Sequence, residues 1–421
     1  MKKLIKILRK LIPQNLFTHL QPSYHFILAA AASLWYGFPS RKLSIVGVTG
    51  TNGKTTTVTL LYRIATELGH TAGLVSTVEN IVAGKVVPTT QTTPDPFTLH
   101  KLFRDMVNAG CTYVFMEVSS HALDQNRVFG VTFRGGIFSN LTHDHLDYHK
   151  TFQNYFDAKK KFFTMLPAGA FALSNTDNDY GMKMLEGIAA DTYSYGFTGE
   201  EDFHGDIENI KRDGLDLAIN GTSVSAKLLG KFNAYNLLAT WSACSLLGYD
   251  MGKVTAILKD IEPPLGRFQH FASPDGVLVV VDYAHTPDAL ENVLKTIRTS
   301  FAGAKIISVF GCGGDRDPMK RKEMGAIGSR MSDIAIFTSD NPRSEDPEKI
   351  LEQMRDGVSD EDNTKVTLLE NRHEAILEAI RRAKKGDIIL CAGKGHEDYQ
   401  EIDGVKHHFN DMEEFKKAFG A

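Results

Sequence analysis

Beyond Leu43 the chain alternates short apolar runs with amphipathic stretches of helical length. Leu43-Ser-Ile-Val-Gly-Val, Tyr113-Val-Phe-Met and Gly136-Ile-Phe are too short for helices. Buried strands separated by helices predict a mostly parallel α/β sheet. This block closes with a helix from about Asn233 to Leu247 and a second ending near Ile261. Glu262-Pro263-Pro264-Leu265-Gly266 then breaks the pattern as a linker. A second α/β series follows: Val277-Leu-Val-Val-Val-Asp, Lys305-Ile-Ile-Ser-Val-Phe, Ile334-Ala-Ile-Phe-Thr and Asp387-Ile-Ile-Leu-Cys, with helices over 287–299 and 372–384. The reading is two α/β domains, 41–262 and 263–421, with the reacting site expected in the cleft between them.

Residues 1–40 form a helical extension that ends at the Gly37-Phe38-Pro39-Ser40 break. Within residues 1–12, Lys2, Lys3, Lys6, Arg9 and Lys10 alternate with Leu4, Ile5, Ile7, Leu8, Leu11 and Ile12 at helical spacing. A basic amphipathic helix of this kind either packs on its own protein or a partner, or rests on an anionic membrane surface. Lysines interrupt what would be the apolar core of a signal peptide.

With 421 residues the chain is too long for one ordinary hydrophobic core, in keeping with several domains. Its 42% hydrophobic and 23% charged content is that of a soluble globular protein. A formal net charge of -4 offers nucleic acid no electrostatic footprint, so small-molecule substrates are expected and nucleic acid is not. Cys111, Cys244, Cys312 and Cys391 are far apart and form no CxxC pair. That pattern fits reduced thiols in a cytoplasmic protein. The apolar stretch Phe26 to Phe38 is too short to cross a bilayer and contains Ser33 and Tyr36. A monomer is the expected state.

The strongest local signal follows the first apolar run. Thr49-Gly50-Thr51-Asn52-Gly53-Lys54-Thr55-Thr56 comes directly after a strand, and a helix is expected from Val58. Glycines allow backbone N–H groups to converge on phosphate oxygens, Lys54 adds a cation and Thr55 can ligate Mg²⁺. The match to G-x-x-x-x-G-K-[ST] is imperfect, because the first glycine position falls at Val48. Glu117 ends the strand Tyr113–Met116, where α/β proteins place carboxylates beside nucleotide. The stretch Asn140 to His149 packs three histidines and two aspartates into ten residues, which reads either as a surface loop or as a metal site. Mg²⁺ prefers oxygen ligands, so a histidine would be an unusual one.

Several stretches resemble, in matching order, the motifs of the Mur ligase family. They are Gly50-Thr-Asn-Gly-Lys-Thr, Glu117-Val-Ser-Ser-His121, Asp144-His-Leu-Asp-Tyr-His149, Asp282-Tyr-Ala-His-Thr-Pro287, Gly311-Cys-Gly-Gly-Asp-Arg316 and Gly393-Lys-Gly-His-Glu397. The resemblance runs from about residue 43 nearly to the end, and is nearest to the member that adds the third residue of the peptidoglycan stem. It implies a central P-loop ATPase domain with a mostly parallel sheet and a C-terminal Rossmann-like α/β domain. The implied activity is an ATP-dependent ligase, releasing ADP, that joins meso-diaminopimelate to the D-glutamate carboxylate of a muramoyl dipeptide through an acyl phosphate. The alternatives are a related ATP-dependent ligase acting on a non-UDP acceptor, of lipid-linked muropeptide, folate or cyanophycin type, and a non-catalytic nucleotide-binding scaffold.

The resemblance also assigns roles. Thr55 and Glu117 would hold one Mg²⁺ and His145 would help hold a second. Tyr155-Phe-Asp-Ala-Lys159 matches the family's lysine that becomes a CO₂-derived carbamate, an anionic oxygen ligand where an ammonium would repel the metal. Lys159 is otherwise a solvated helix lysine beside Lys160 and Lys161. Thr49 to Thr56 would cradle ATP. Asn236, in Gly230-Lys-Phe-Asn233-Ala-Tyr-Asn236, would face adenine, although asparagines here equally suit a helix cap. Arg267, Asp282 and His285 would also reach nucleotide. Thr92, Thr93, Ser119, Gln125 and Arg127 match the acceptor-binding stretch. Arg316, Asp340, Asn341, Pro342, Arg343, Gly393 and Glu397 match the contacts to the incoming amino acid, with Asp-Asn-Pro-Arg in the form that accompanies diaminopimelate. A guanidinium can bind its second carboxylate with two parallel hydrogen bonds. Relatives carry an N-terminal domain that grips the uridine nucleotide, and about 40 residues cannot build one. The expectation is therefore a UDP-linked muramoyl dipeptide held loosely, a lipid-linked form reached by the basic helix, or a substrate presented by a partner.

Overall fold

The computed structural model describes residues 14–420 apart from Thr90 and His143, so the basic stretch 1–12 lies outside the described residues. The first sheet begins with strands β1 (Ser44–Thr49), β2 (Ala72–Val75), β3 (Asn80–Val82), β4 (Lys85–Val87), β5 (Tyr113–Glu117) and β6 (Gly135–Phe138). It continues with β7 (Phe171–Asn175), β8 (Asp191–Gly196), β9 (Phe203–Ile210), β10 (Leu215–Ile219) and β11 (Thr222–Ala226). Hydrogen bonding orders them β11-β10-β9-β8-β7-β6-β1-β5-β2-β3-β4. β1 lies between β5 and β6 and runs parallel to both, with Val48 opposite Glu117 and Ile137. After Ser44 every residue of β1 is buried, as strands covered on both faces require. The phosphate loop and Glu117 are thereby set side by side at the carboxyl ends of adjacent strands.

Gly53, at φ 86°, turns the chain directly into the helix Lys54–Glu67. That helix starts at Lys54 and not at Val58, because apolar periodicity marks only where the helix meets the core. A second helix, Phe152–Thr164, is capped by Thr151, whose side chain accepts from Asn154 N. Tyr155, Ala158, Lys159 and Phe162 fall at i, i+3, i+4 and i+7, so they share one face, and all are buried. Phe162 packs so closely on β1 that a Cβ on Gly47 would sit 2.5 Å from its ring. The packing of this apolar face carries Lys159 inward.

The second sheet consists of β12 (Gln269–Ala272), β13 (Leu278–Asp282), β14 (Ile306–Phe310), β15 (Ile334–Phe337), β16 (Val366–Leu368) and β17 (Ile388–Ala392). Its order is β12-β13-β17-β14-β15-β16, parallel throughout except for the β12–β13 pair. Leu278 and Val280 join one apolar cluster with Leu290, Leu294 and Met324. Val279 and Val281 join another with Ile376, Met412 and Phe415. Alternate residues of one strand therefore feed cores on both faces, as in a doubly wound sheet. A separate hairpin, β18 (Tyr399–Ile402) and β19 (Val405–His408), follows.

The α/β expectation holds for both sheets. By packing, the chain divides into two compact units. One takes the chain up to Asp206 with Ala218–Val224 and Tyr235–Ile261; the other takes Ile207–Leu217, Ser225–Ala234 and Glu262–Ala421.

Candidate active site

In the first unit the phosphate loop is tied to the segment that follows β6. Thr51 N donates to Asn140 O (2.8 Å), Asn52 N to Asn140 Oδ1 (2.9 Å) and Ser139 Oγ to Asn52 O (2.6 Å). Thr51 Oγ1 accepts from Thr142 N (3.0 Å) and lies 3.0 Å from Tyr155 OH. The loop's glycines are required by crowding: a Cβ on Gly50 would meet Ser139 Oγ at 1.9 Å, and one on Gly53 would meet Asn236 Oδ1 at 2.3 Å. Asn236, the adenine candidate, is thus pressed against the loop. Lys54 Nζ folds over the loop and donates to Gly50 O (2.8 Å) and Thr51 O (2.7 Å).

Thr55 Oγ1 donates to Glu117 Oε1 over 2.9 Å. Glu117 is 1% exposed and also accepts from Thr77 N (2.7 Å), and among the described residues it forms no ion pair. A buried carboxylate without a cation is costly, so this hydroxyl and carboxylate fit a hard cation that takes oxygen ligands. Among the described residues no three His, Cys, Asp or Glu side chains converge as a metal-binding group. The histidine-rich stretch therefore does not form a zinc-like site among those residues. His149 instead meets Ser120 Oγ at 3.0 Å, and the His121 ring lies 5.0 Å from His145 and 4.2 Å from Tyr148.

Tyr155 links these groups. His145 lies 6.0 Å and His149 5.1 Å from its ring, and Lys159 Nζ sits 4.6 Å above it. Lys159 Nζ donates to Gly50 O (2.8 Å) and is fully withdrawn from solvent. Burial, reinforced by the nearby Lys54 and only partly opposed by Asp144, holds its amine well below the ordinary lysine pKa. The sequence-named Lys159, His145, Thr51 and Gly50 are therefore neighbours, and Lys159 is not a solvated surface lysine.

The acceptor candidates also gather in one place. Thr93 Oγ1 donates to Glu117 O (2.9 Å) and accepts from Ser119 N (3.0 Å). Thr92 Oγ1 lies 3.0 Å from Thr77 Oγ1. Arg127 donates to Gln125 Oε1 (2.8 Å), Thr93 O (3.0 Å) and Gln91 Oε1 (3.0 Å), and Gln125 donates to Tyr148 OH (3.0 Å). Burial lowers the Arg127 pKa.

The second unit holds two groups. Around Tyr283, the Arg267 guanidinium carbon lies 5.1 Å from the ring centre and His285 4.6 Å, while the buried Arg267 Nε has no hydrogen-bond partner among the described residues. Asp282, at the carboxyl end of β13, accepts from Phe268 N (2.8 Å) and Ala284 N (2.9 Å); burial raises its pKa against the pull of Arg267. The second group is Asp340, Asn341, Arg343, Gly393 and Glu397. Asn341 Nδ2 donates to Asp340 Oδ1 (2.9 Å) and Glu397 Oε2 (2.8 Å). Gly393, at φ 112°, leaves room for Asp340 Oδ2, which would meet a Cβ there at 2.6 Å. Arg343 donates to Gly314 O (2.6 Å) and lies 3.5 Å from Glu401. A Cβ on Gly314 would strike Pro342 O at 1.9 Å, so Pro342 is packed into the same cluster. Arg316 is exposed; a Cβ on Gly313 would lie 3.8 Å from its Cγ and 2.9 Å from an Arg343 guanidinium nitrogen, so it borders the same cluster.

Three contributors were not singled out by sequence: Tyr155, Lys394 and the pair Arg372–Asp411. Arg372 is 1% exposed; it binds both carboxylate oxygens of Asp411 (2.7 and 2.8 Å) and donates to Ala392 O (3.1 Å), beside Gly393. Only the separation of these residues along the chain concealed them.

Residues 48–244 match the family described as Mur ligase middle domain, and residues 266–395 match Mur ligase, glutamate ligase domain. The UDP-N-acetylmuramoyl-L-alanyl-D-glutamate--2,6-diaminopimelate ligase of Parabacteroides distasonis is 52% identical over 393 residues, covering 93% of this chain and 81% of the relative. The protein of the same name from Cytophaga hutchinsonii is 53% identical over 384 residues, covering 91% and 79%. A solved structure of a ligase of that name is 33% identical with a TM-score of 0.65, covering 92% of this chain and 82% of its own. A folylpolyglutamate synthase from Mycobacterium tuberculosis reaches a TM-score of 0.69 at 19% identity, which is a likeness of fold alone. Among the described residues no helix is long and apolar enough to cross a membrane.

Proposed function

This chain belongs to the Mur ligase family, and on that premise we propose that it joins meso-diaminopimelate to the D-glutamate carboxylate of a muramoyl dipeptide. It is an ATP-dependent ligase that forms amide bonds in peptidoglycan synthesis. What carries the substrate assignment is the name shared by relatives at 52% and 53% identity over nine-tenths of the chain. Residues 41–262 serve as the ATP-binding part, 263–421 as the part that takes the incoming amino acid, and 1–40 as an extension.

The acceptor's carboxylate takes the γ-phosphoryl group of ATP, and the amine then displaces phosphate from the acyl phosphate. The amides of Gly50 to Thr56 and the Lys54 ammonium receive phosphate oxygens. Asn236 faces the adenine, and Arg267, Asp282 and His285 attend the nucleotide. Thr55 and Glu117 would hold one Mg²⁺, and His145 with Lys159 a second; such ions offset the charge of a transferring phosphoryl group. Lys159 becomes an anionic ligand when its neutral amine adds to CO₂: an N–C bond forms and a proton leaves to solvent. Its burial and depressed basicity support that reading, since the neutral amine is the nucleophile.

Thr92, Thr93, Ser119, Gln125 and Arg127 hold the acceptor, with the half-buried guanidinium suited to a carboxylate. Arg316, Asp340, Asn341, Pro342, Arg343, Gly393 and Glu397 form the amino-acid site. There a guanidinium pairs with the second carboxylate of diaminopimelate, and the acidic groups attract ammonium.

The test is phosphate release by the full chain, with muramoyl dipeptides with and without UDP, each offered diaminopimelate or lysine. Release that needs both a muramoyl dipeptide and diaminopimelate is expected. Equal turnover with lysine, or none with either, overturns the substrate assignment.

A further inference from the structure

Asn341 is 2% exposed and its side-chain amide is saturated by protein. Oδ1 accepts from Lys394 Nζ (3.2 Å) and from Glu401 N (2.9 Å). Nδ2 donates to Asp340 and Glu397 as described above. An amide offers two hydrogens and two lone pairs, and protein groups occupy all four here. Turning the amide over would aim its hydrogens at an ammonium and an N–H, and its oxygen at two carboxylates. All four contacts would become repulsive, so the orientation is fixed by what surrounds it.

Lys394 is fully buried, 3.4 Å from Glu397 Oε2 and 5.5 Å from the centre of the Tyr399 ring. Burial and Asp340 raise the pKa of Glu397, with Lys394 opposing them. Two carboxylates drawn to one amide repel each other and leave a place of negative potential that a cation relieves.

We infer that Lys394 is a positioning residue: it locks the Asn341 amide, and the locked amide pairs Asp340 and Glu397 to receive the ammonium group of the incoming amino acid. This rests on the assignment of that amino acid to this cluster. Asn341 then acts as a bracket between the two acids of the amino-acid site.

Steady-state kinetics of the full chain, with ATP, UDP-linked muramoyl dipeptide and diaminopimelate, tests this. Lys394→Met should raise the KM for diaminopimelate by about tenfold or more, the scale of a lost hydrogen bond to a charged group. The KM values for ATP and acceptor should stay within about twofold. Lys394→Gln retains a donor toward Asn341 and should return the diaminopimelate KM to within about threefold of the parent. In an Asn341→Ala background, Lys394→Met should add less than about twofold. Equal rises in all three KM values, additive effects, or failure of glutamine to rescue overturn the inference. Should Lys394→Met not fold, Asn341→Asp decides with Lys394→Gln. The aspartate must raise the diaminopimelate KM about tenfold while glutamine does not; any other pattern counts against the bracket. If the parent chain prefers another amino acid, the same comparisons are made with that one, so the substrate assignment and the positioning role fail separately.

Discussion

Lys159 Nζ donates to the carbonyl oxygen of Gly50 across 2.8 Å, joining the buried face of one helix to the first glycine of the phosphate loop. Burial there favours the uncharged amine, the form that adds CO₂ in the proposed mechanism, and the carbamate would stand beside His145 and the loop. Enzyme freed of CO₂ should lose turnover and regain it on adding bicarbonate. Lys159→Ala should fall by on the order of 100-fold, the scale of losing one pre-organised charged group. Turnover that ignores both treatments removes the carbamate from the mechanism.

Gly53 makes its own demand on the same loop. A methyl group at this position would require a left-handed φ and would overlap Asn236 Oδ1 at 2.3 Å. Gly53→Ala should cost about 1–3 kcal/mol of stability and weaken ATP binding more than it weakens binding of either other substrate. Thermal unfolding with and without ATP would read both effects.

His100 introduces a pH dependence unrelated to catalysis. Its ring is fully buried, and among the described residues neither nitrogen makes a hydrogen bond of normal geometry. Burial pushes its pKa down to about 4, against the opposing pull of the Phe129 carbonyl. Above pH 6.5 the ring is neutral in both folded and unfolded chains, so it has no effect. As pH falls from 6.5 towards 4, only the unfolded chain gains the proton, and stability is lost. Between pH 7 and pH 5 the loss should be about 2 kcal/mol. Urea unfolding at the two pH values measures it, and His100→Phe should flatten the difference.

Arg372 and Asp411 form an ion pair whose side chains are both shut away from solvent. Removing either partner leaves a buried charge uncompensated, so Arg372→Met or Asp411→Ala should cost about 3–5 kcal/mol. Replacing both with apolar groups of similar volume should cost much less. A double-mutant cycle in denaturant distinguishes this from simple loss of packing, which would be additive.

The parts of the fold legible in sequence are those written by local pattern. The uninterrupted apolar run of β1, followed by glycines, Lys54 and Thr55, places the phosphate loop without reference to any distant residue. The strands β8 to β11 went unread, since their burial alternates or is partial; Leu215, Leu217 and Ile219 were the period-two signal for β10. Site residues that act through neighbours were harder. Tyr155 looks like any aromatic on a helix until His145, Lys159 and Thr51 converge on it. Lys394 stood inside a recognised motif, yet its role depends on Asn341, 53 positions earlier. Arg372 gives no signal, because nothing local marks an arginine that will meet Asp411, 39 positions later, at the start of another helix.

The ties between Thr51, Asn52 and the Ser139–Thr142 segment make the nucleotide cradle an outgrowth of the central strands instead of a free flap. Its shape is set before any triphosphate arrives, so little chain freedom remains to be surrendered on binding. On the proposed nucleotide assignment, exchange of ADP should therefore follow the contacts to the departing nucleotide and not a refolding of the loop.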